Sequence, residues 1–269
     1  MKTIVHNPFD RSPIAEVALV DWAQIDEWLN EAQLLHRERS CWLAVHERIA
    51  ILRRTADIMR ERAEELALQI VREGGKPLVD ARVEAGRAIN SVDLCVQALS
   101  DGGGHEIPMD LTEAGAGRTA YTFREPIGPV VAISAFNHPL NLIVHQVGPA
   151  VAAGCPVLIK PALETPLSCQ SFVSILHEAG LPEAWCRFAP CGNDIAERMV
   201  TDPRTAFFSF IGSAKIGWML RSKLAPGTRI ALEHGGAAPV IVDSGVERAA
   251  VIASLLKGGF YHSGQVCVS

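Results

Sequence analysis

From residue 127 onward, short apolar runs alternate with segments of helical spacing, and this alternation constrains the fold more than any other feature of the sequence. Five runs have the composition of buried strands, at 130–134, 156–160, 206–211, 229–233 and 239–243. Helical segments such as 140–153 and 166–179 separate most of them. Strands joined by crossover helices form parallel βαβ units. We therefore predict an open, mostly parallel α/β sheet with flanking helices, and ligands at the carboxyl ends of its strands.

The part of the chain before residue 120 is predicted to be mainly helical. Apolar residues spaced alternately three and four apart from Ile49 to Ile70 predict one long amphipathic helix, which Gly74 and Gly75 end. A second apolar stripe runs from Ala85 to Leu99 and stops at three glycines, 102–104. The sequence RTAYTFRE, residues 118–125, alternates like an exposed strand and predicts an arm or a hairpin.

Composition limits the classes of partner and the compartment. The net charge is only −5, which argues against nucleic acid or a membrane surface as the main partner. No apolar run is long enough to span a bilayer, and the first residues lack a secretory pattern, so we expect a cytoplasmic location. The seven cysteines are irregularly spaced without any Cys-x-x-Cys, which predicts neither disulfides nor a metal site. Six of them, all but Cys267, are interpreted as small core residues.

Polar residues follow several of the predicted strands, and each has a purely structural alternative. The Asn137 amide suits an oxyanion donor, but asparagine is also a common helix cap. Lys160 suits a ribose or phosphate, or it is a solvated loop lysine. Glu233, beside two glycines, suits a general base, or it is a solvated loop glutamate.

A glycine-containing turn at residues 212–217 offers backbone N–H groups at a predicted helix start. Such groups bind phosphate well, but the Gly-x-x-x-x-Gly spacing differs from the usual dinucleotide turn, and a tight turn needs the same glycine. Cys267 follows a Gly-Gln pair near the end of the chain, where it is either a nucleophile or another buried thiol.

Taken together and in this order, the motifs resemble the NAD(P)-dependent aldehyde dehydrogenase superfamily. The resemblance covers residues 45–269 and rests on REGGKP, PIGPVVAISAFNHP, IKPALETP, FSFIGSAKIG, LEHGG and GQVC. It implies an aldehyde dehydrogenase-like fold with a Rossmann-like sheet. It also implies that Cys267 attacks an aldehyde, that Asn137 and the Cys267 backbone N–H hold the oxyanion, and that Glu233 activates the hydrolytic water. The product is a carboxylic acid, formed through a thiohemiacetal and a thioester.

The resemblance further implies a bound NAD or NADP and no metal. The residues implied to bind this cofactor are Ser134, Ala135, Phe136, Lys160, Ala162, Leu163, Gly212, Ser213, Gly217 and Gly235. The family often has glutamate where Leu163 stands, and that glutamate binds the ribose 2′-hydroxyl and disfavours NADP. Here the acid is displaced to Glu164, which leaves both cofactors open. Three histidines also depart from the family pattern, at His138, His234 and His262.

The resemblance also implies a division of the chain and a missing part. We expect an amino-terminal helical part of the cofactor domain at 1–107, an oligomerisation arm at 108–126, the NAD(P)-binding α/β part at 127–258, and the start of a catalytic domain at 259–269. Family members continue well beyond the cysteine, so most of the catalytic domain is expected to be absent from these 269 residues. The complete enzyme is expected to be a homo-oligomer, either a dimer or a tetramer.

Three functions remain at this level. The chain is either an aldehyde dehydrogenase part or a truncated, non-catalytic nucleotide-binding fragment or interaction module. A cysteine hydrolase using Cys267 and Glu233 is a third possibility, and binding of a dinucleotide would argue against it.

Overall fold

A five-stranded parallel sheet forms the centre of the molecule. The computed structural model describes residues 1–268, so Ser269, the last residue of the predicted segment 259–269, lies outside the described part. The sheet has the order β7-β6-β5-β8-β9. Its strands are β5 (Val130–Ile133), β6 (Val157–Lys160), β7 (Cys186–Phe188), β8 (Phe207–Gly212) and β9 (Arg229–His234). The predicted parallel α/β sheet is therefore confirmed, and four of the five predicted strands are present.

Helices cover both faces of this sheet. The amino-terminal half supplies α1 (Trp22–Arg37), α2 (Val45–Glu61), α3 (Ala63–Gly74) and α4 (Leu78–Asp101), and the crossover connections supply α5 (Asn141–Ala153), α6 (Leu167–Glu178), α7 (Asn193–Thr201) and α8 (Ala214–Arg221). Neighbouring residues of one strand point to opposite faces. Val130 and Ala132 pack in a core with α2 to α6, whereas Val131 packs in a second core with α1, α7 and α8. Burial on both faces explains why the central strands are continuously apolar.

The predicted long helix over residues 49–70 is two helices. α2 ends at Glu61, and α3 begins at Ala63, with Arg62 between them at φ −105° and ψ 17°. The apolar stripe continues across the break because the Arg62 N–H still bonds to the Ile58 carbonyl oxygen. Periodicity therefore predicted the buried face correctly but could not reveal a one-residue interruption. The stop at Gly75 is confirmed, since this residue has φ +66° and caps α3.

Several elements were not predicted from the sequence. The chain begins with an antiparallel hairpin of β1 (Lys2–His6) and β2 (Pro13–Ala18), and α1 follows it. The signal for α1 was present, because Ile25, Leu29 and Ala32 lie four and three residues apart and are fully buried. β7 has only three residues, which is too short for a recognisable pattern. The predicted arm is a small hairpin of β3 (Glu106–Ile107) and β4 (Ala120–Tyr121).

The strand predicted at residues 239–243 is not formed. This stretch is irregular and exposed, and the apolar side chain of Ile241 is 91% exposed. A strand needs a partner for its backbone groups, and the sheet ends at β9. The following helix, α9 (Arg248–Phe260), has no buried residue. The apolar composition of this stretch was read correctly, but the stretch does not pair with β9, the outermost strand of the sheet. None of the helices within residues 1–268 is long and apolar enough to cross a membrane.

Candidate active site

One cavity of about 1080 Å³ opens along the carboxyl edge of the sheet and collects nearly all the predicted site residues. Twelve of the thirteen line it, namely Ser134, Ala135, Phe136, Asn137, Lys160, Ala162, Leu163, Gly212, Ser213, Glu233, Gly235 and Cys267. They come from segments as far apart as residues 134 and 267. The parallel order of the strands brings their ends together, as the sequence predicted.

Asn137 lies in the turn between β5 and α5 and does not cap the helix. α5 begins at Asn141 with Leu140 in the cap position. The Asn137 side chain instead donates from Nδ2 to the carbonyl oxygen of Gln265 at 2.7 Å. The helix-cap alternative is therefore excluded, and the amide lies within hydrogen-bonding distance of the segment that carries the cysteine.

Cys267 and Glu233 reach the cavity from two different segments. Glu233 is exposed near the end of β9, where it pairs with Ile211. Gly236, three residues later, lies against the cysteine: a Cβ atom added there would stand 2.3 Å from the Cys267 carbonyl oxygen. Only glycine permits this approach. The segment after the glutamate and the segment of the cysteine are thereby held close together.

The other thiols differ from Cys267 in exposure, with one exception. Cys95, Cys155, Cys169, Cys186 and Cys191 are buried, as predicted. Burial raises the pKa of Cys186 to about 12 and that of Cys95 and Cys191 to about 11, which keeps these thiols protonated at neutral pH. Cys41 is exposed, so its assignment to the core was wrong. It lies in a short 3₁₀ turn after α1 that contributes no buried residue.

Lys160 is a buried cation rather than a solvated one. Its side chain is almost fully covered, and Nζ donates to the neighbouring Pro161 carbonyl oxygen at 3.2 Å. Burial lowers the pKa of Lys160, while nearby Cys191 and Glu164 act in the opposite direction. An ammonium group has three N–H donors, so this one retains donors for a ligand in the cavity.

The same part of the cavity offers further groups that fit a dinucleotide. The Ser134 hydroxyl is buried at the end of β5 and has no hydrogen-bond partner in the described structure. Ser213 caps α8, whose first N–H groups point out of the helix toward the cavity end of β8. A buried hydroxyl, a buried cation and a helix start together match the ribose and phosphate groups of NAD or NADP.

Gly217 does not line the cavity. It is buried within α8, where an added Cβ atom would lie 2.6 Å from His234 Cε1 and 3.0 Å from Phe210 Cδ1. Its lack of a side chain lets α8 pack closely on β8 and β9. Gly217 therefore positions the start of α8 and is not itself part of the cavity surface.

Two buried glutamates that sequence reasoning missed hold the loops of the site. Glu84 Oε1 accepts hydrogen bonds from the backbone N–H groups of Leu140 and Asn141, at the start of α5. Glu73 accepts from those of Leu167 and Ser168, at 2.7 and 2.8 Å, and so caps α6. Burial raises the pKa of Glu73 to about 7, against the lowering effect of its hydrogen bonds. A signal existed for Glu84, because it directly precedes the apolar stripe of α4 and lies between the buried Ala81 and Ala85.

Comparison with known proteins agrees with this geometry. The model of the aldehyde dehydrogenase family matches residues 1–269. The chain is 34% identical to aspartate-semialdehyde dehydrogenase 1 of Pseudomonas canavaninivorans over 98% of this chain and 56% of that protein. It is 31% identical to 3-sulfolactaldehyde dehydrogenase of Priestia aryabhattai over 100% of this chain and 56% of that protein. The chain thus spans about half the length of the curated relatives it matches.

Solved structures show the same fold. The structure of aldehyde dehydrogenase 21 from Physcomitrella patens, in complex with the product succinate, superposes with a TM-score of 0.94 at 33% identity, covering 99% of this chain and 56% of the other. A glyceraldehyde-3-phosphate dehydrogenase of Methanocaldococcus jannaschii in complex with NADP gives 0.91 at 30% identity, with 99% and 58% covered. An NAD-dependent benzaldehyde dehydrogenase of Corynebacterium glutamicum gives 0.89 at 30% identity, with 100% and 58% covered. Both cofactors thus occur among similar enzymes.

The remaining length of these relatives has no counterpart in the 269 residues. The fold, the order of the motifs along the cavity and the match over the whole chain agree with one another. The chain belongs to the aldehyde dehydrogenase family, whose members are oxidoreductases that convert aldehydes to acids.

Proposed function

We propose that these residues form the cofactor-binding part and the nucleophile of a site that oxidises a small aldehyde to a carboxylic acid with NAD or NADP. The observation that carries the proposal is the single cavity that contains Cys267, Asn137 and Glu233 together with the buried Lys160. A cysteine hydrolase has no use for the cation and helix start on the cofactor side of the cavity.

The chemistry follows from the three polar groups. The Cys267 thiolate forms a bond from Sγ to the aldehyde carbon, and the carbonyl oxygen becomes an oxyanion. Asn137 Nδ2 stabilises this oxyanion once it releases the Gln265 carbonyl oxygen, and the Cys267 backbone N–H is the second donor. The chemistry that a bound nicotinamide would supply is acceptance of the hydride from the same carbon. Glu233 then takes a proton from water, whose oxygen attacks the thioester, and the thiolate departs.

Lys160, Ser134 and the start of α8 are the groups we assign to the cofactor. Lys160 and the Ser134 hydroxyl are buried at the ends of β6 and β5, where they suit ribose hydroxyls. Ser213 and the N–H groups after Gly212 suit the pyrophosphate. These groups would hold the dinucleotide at the sheet edge, in the same cavity as Cys267.

We further propose that the aldehyde carries an anionic group. His145 lines the cavity from α5, and its Nε2 is 2.9 Å from the Ser91 hydroxyl oxygen of α4. Desolvation, and then the charges of Arg87 and His138, lower the pKa of His145, so the Arg87 guanidinium of α4 acts on this side of the cavity. Aspartate semialdehyde and 3-sulfolactaldehyde, after which two relatives are named, both carry an acidic group.

A panel of aldehydes tests both proposals in protein that includes the second half found in the relatives. We expect NADH or NADPH production with small carboxylated or sulfonated aldehydes, and a lower kcat/KM for uncharged aldehydes of equal chain length. Arg87→Gln should raise KM for the anionic aldehydes about tenfold, the factor that corresponds to 1.4 kcal/mol. Arg82→Gln is the matched control, because Arg82 lies on the same helix and pairs with Glu64. A Cys267→Ser protein with undiminished turnover would contradict the assigned chemistry.

Cofactor choice depends on residue 163. Leu163 is half-buried on the cavity and Glu164 is exposed beside it, so no carboxylate occupies the position that would repel a 2′-phosphate. We expect the ratio of kcat/KM for NAD to that for NADP to stay below about a thousandfold, or about 4 kcal/mol. Leu163→Glu should shift that ratio toward NAD about tenfold. If Glu164→Gln instead abolished a strong NAD preference, the displaced acid would have taken over the role.

We also propose a division of the chain and an assembly. The arm expected at 108–126 is better begun at β3 (Glu106–Ile107), which pairs with β4, so the amino-terminal part expected at 1–107 ends before residue 106. The boundary after the cofactor part is better placed at residue 234 than at 258, because α9 buries none of its side chains. The exposed hairpin of β3 and β4, with Tyr121 on its surface, suits contact between subunits of a homo-oligomer.

A further inference from the structure

A buried group of four ionisable side chains lies beside the turn between β5 and α5 that carries Asn137. Lys76, Glu84, His138 and His262 are 1%, 1%, 8% and 3% exposed, although they come from segments almost 190 positions apart. Lys76 Nζ forms a salt bridge with Glu84 Oε2 and lies 2.9 Å from His138 Nδ1. We call these four residues the histidine–ion-pair cluster. Lys76 and Glu84 have no place in the chemistry assigned above, and the two histidines depart from the family pattern.

Three polar atoms meet at the centre of the cluster. His138 Nδ1 lies 2.9 Å from Lys76 Nζ and 3.4 Å from Glu84 Oε2, so this ring nitrogen faces both members of the ion pair. Glu84 uses its other oxygen for the N–H groups at the start of α5, which leaves the ion pair fully bonded. Burial opposes ionisation of both partners, but the pKa of Glu84 is lowered overall by its bonds to His138 and Lys76.

The segment that carries the cysteine rests on this cluster. The Tyr261 ring stacks on the His138 ring at 6.1 Å between centroids, and the His262 ring meets it edge-on at 6.2 Å. His262 and Ser263 have φ values of +47° and +56°. A left-handed conformation at two successive residues other than glycine is unfavourable and persists only where packing enforces it. The buried His262 ring supplies that packing.

The packing of the 261–267 segment on the cluster, here called its seating, determines how Asn137 and Cys267 lie relative to each other. His138 is adjacent to Asn137, and His262 precedes the Gln265 whose carbonyl oxygen accepts from Asn137 Nδ2 at 2.7 Å. Two residues further on, Cys267 packs against Gly236. A shift of the His262 ring would therefore move the Cys267 segment away from the Asn137 amide.

We propose that His138 and His262 are positioning residues that hold the 261–267 segment against the Asn137 turn, and that the segment stays seated only while the His262 imidazole is neutral. The proposal rests on the proposed function for the roles of Asn137 and Cys267, but the seating itself is a property of the chain. Neither histidine touches the reacting atoms in this scheme; they act through the residues next to them.

The charged groups around His262 explain why its protonation would weaken the seating of the segment. His262 faces Lys76, Glu84 and His138, while its neighbour Tyr261 also senses Asp80 and Arg87 of α4. Burial, followed by the charges of Lys76 and His138, lowers the pKa of His262 to about 4, and Glu84 only partly opposes this. An unseated His262 titrates near pH 6.5. Seating is therefore fully favoured above about pH 6.5 and weakens as the pH falls toward about 4, because the unseated form then binds the extra proton.

Hydrogen–deuterium exchange of the 269-residue chain tests the seating without any assay of turnover. The peptide that covers residues 259–268 should be protected at about pH 7.5, relative to its intrinsic exchange rate. At about pH 5 its protection should fall on the order of 30-fold, as the two His262 pKa values require. Peptides from β5 and β6 should show no such fall. Protection that is independent of pH, or absent at about pH 7.5, would overturn the proposal.

Two variants distinguish the packing of the His262 ring from its protonation. His262→Phe keeps an aromatic ring that cannot be protonated, so protection should persist to about pH 5. His262→Ala removes the ring, and exchange should be fast at both pH values. His46→Gln, on the exposed surface of α2, should behave like the unmodified chain. If the phenylalanine variant lost protection at about pH 5 as the unmodified chain does, His262 would not be the titrating group.

Histidine ring NMR adds a second check: a His262 midpoint near 6.5 contradicts the proposal. Seating can be disproved by these results while turnover persists, and the reverse is equally possible.

Discussion

Replacing Glu233 by glutamine is expected to slow steady-state aldehyde oxidation by about 10²–10⁴-fold, the usual cost of losing a general base. Glu233 lies at the end of β9 with its side chain exposed to the cavity, where it can take a proton from water. An amide cannot do so. Because hydride transfer precedes hydrolysis, the variant should still release one equivalent of reduced cofactor per site in a rapid burst. Turnover, burst amplitude and the dissociation constant for the dinucleotide are the measurements.

The control for this variant is Glu164→Gln, since Glu164 is another exposed glutamate on the same cavity. It should leave the hydrolytic rate unchanged. A fall of less than about threefold in Glu233→Gln would show that another group is the base. His234 would be the first candidate, because it lines the cavity and neither of its ring nitrogens has a hydrogen-bond partner in the described structure.

The second large effect is expected at Asn137. Asn137→Ala removes the proposed oxyanion donor and should lower kcat by about 10²–10³-fold, with little change in cofactor affinity. Unlike Glu233→Gln, it should also slow the burst, because the oxyanion precedes hydride transfer. Asn193→Ala is a suitable control, as Asn193 lines the cavity from α7. Normal kinetics in Asn137→Ala would assign the Asn137 amide to its contact with Gln265 alone.

The 2.7 Å contact between Asn137 Nδ2 and the Gln265 carbonyl oxygen could not be predicted from the sequence. The sequence placed Asn137 between a strand and a helix, and a helix cap was then as reasonable as an oxyanion donor. The choice depends on what the side chain meets, and its partner lies 128 positions away. Lys160 is similar: its position at a strand end was predictable, but its burial, with Cys191 nearby, was not.

Two further features could not be predicted from the sequence, namely the lack of a strand at 239–243 and the histidine–ion-pair cluster. A run such as PVIVD has the composition of a strand, yet a strand forms only where another strand offers its backbone groups. Lys76, Glu84, His138 and His262 each look unremarkable in their own segments. Only the fold shows that they share one buried site.

By itself the sequence determined the parallel sheet, the stripes of the main helices and the strand ends that carry Asn137, Lys160 and Glu233. These follow from the spacing of residues close together in the chain, which reports the local period and which face is buried. The tertiary structure alone decided where α2 and α3 divide, which glutamates hold the loops and how His262 seats the cysteine segment. Those features depend on contacts between residues far apart in the chain, because burial and charge pairing are set by spatial neighbours rather than by sequence period.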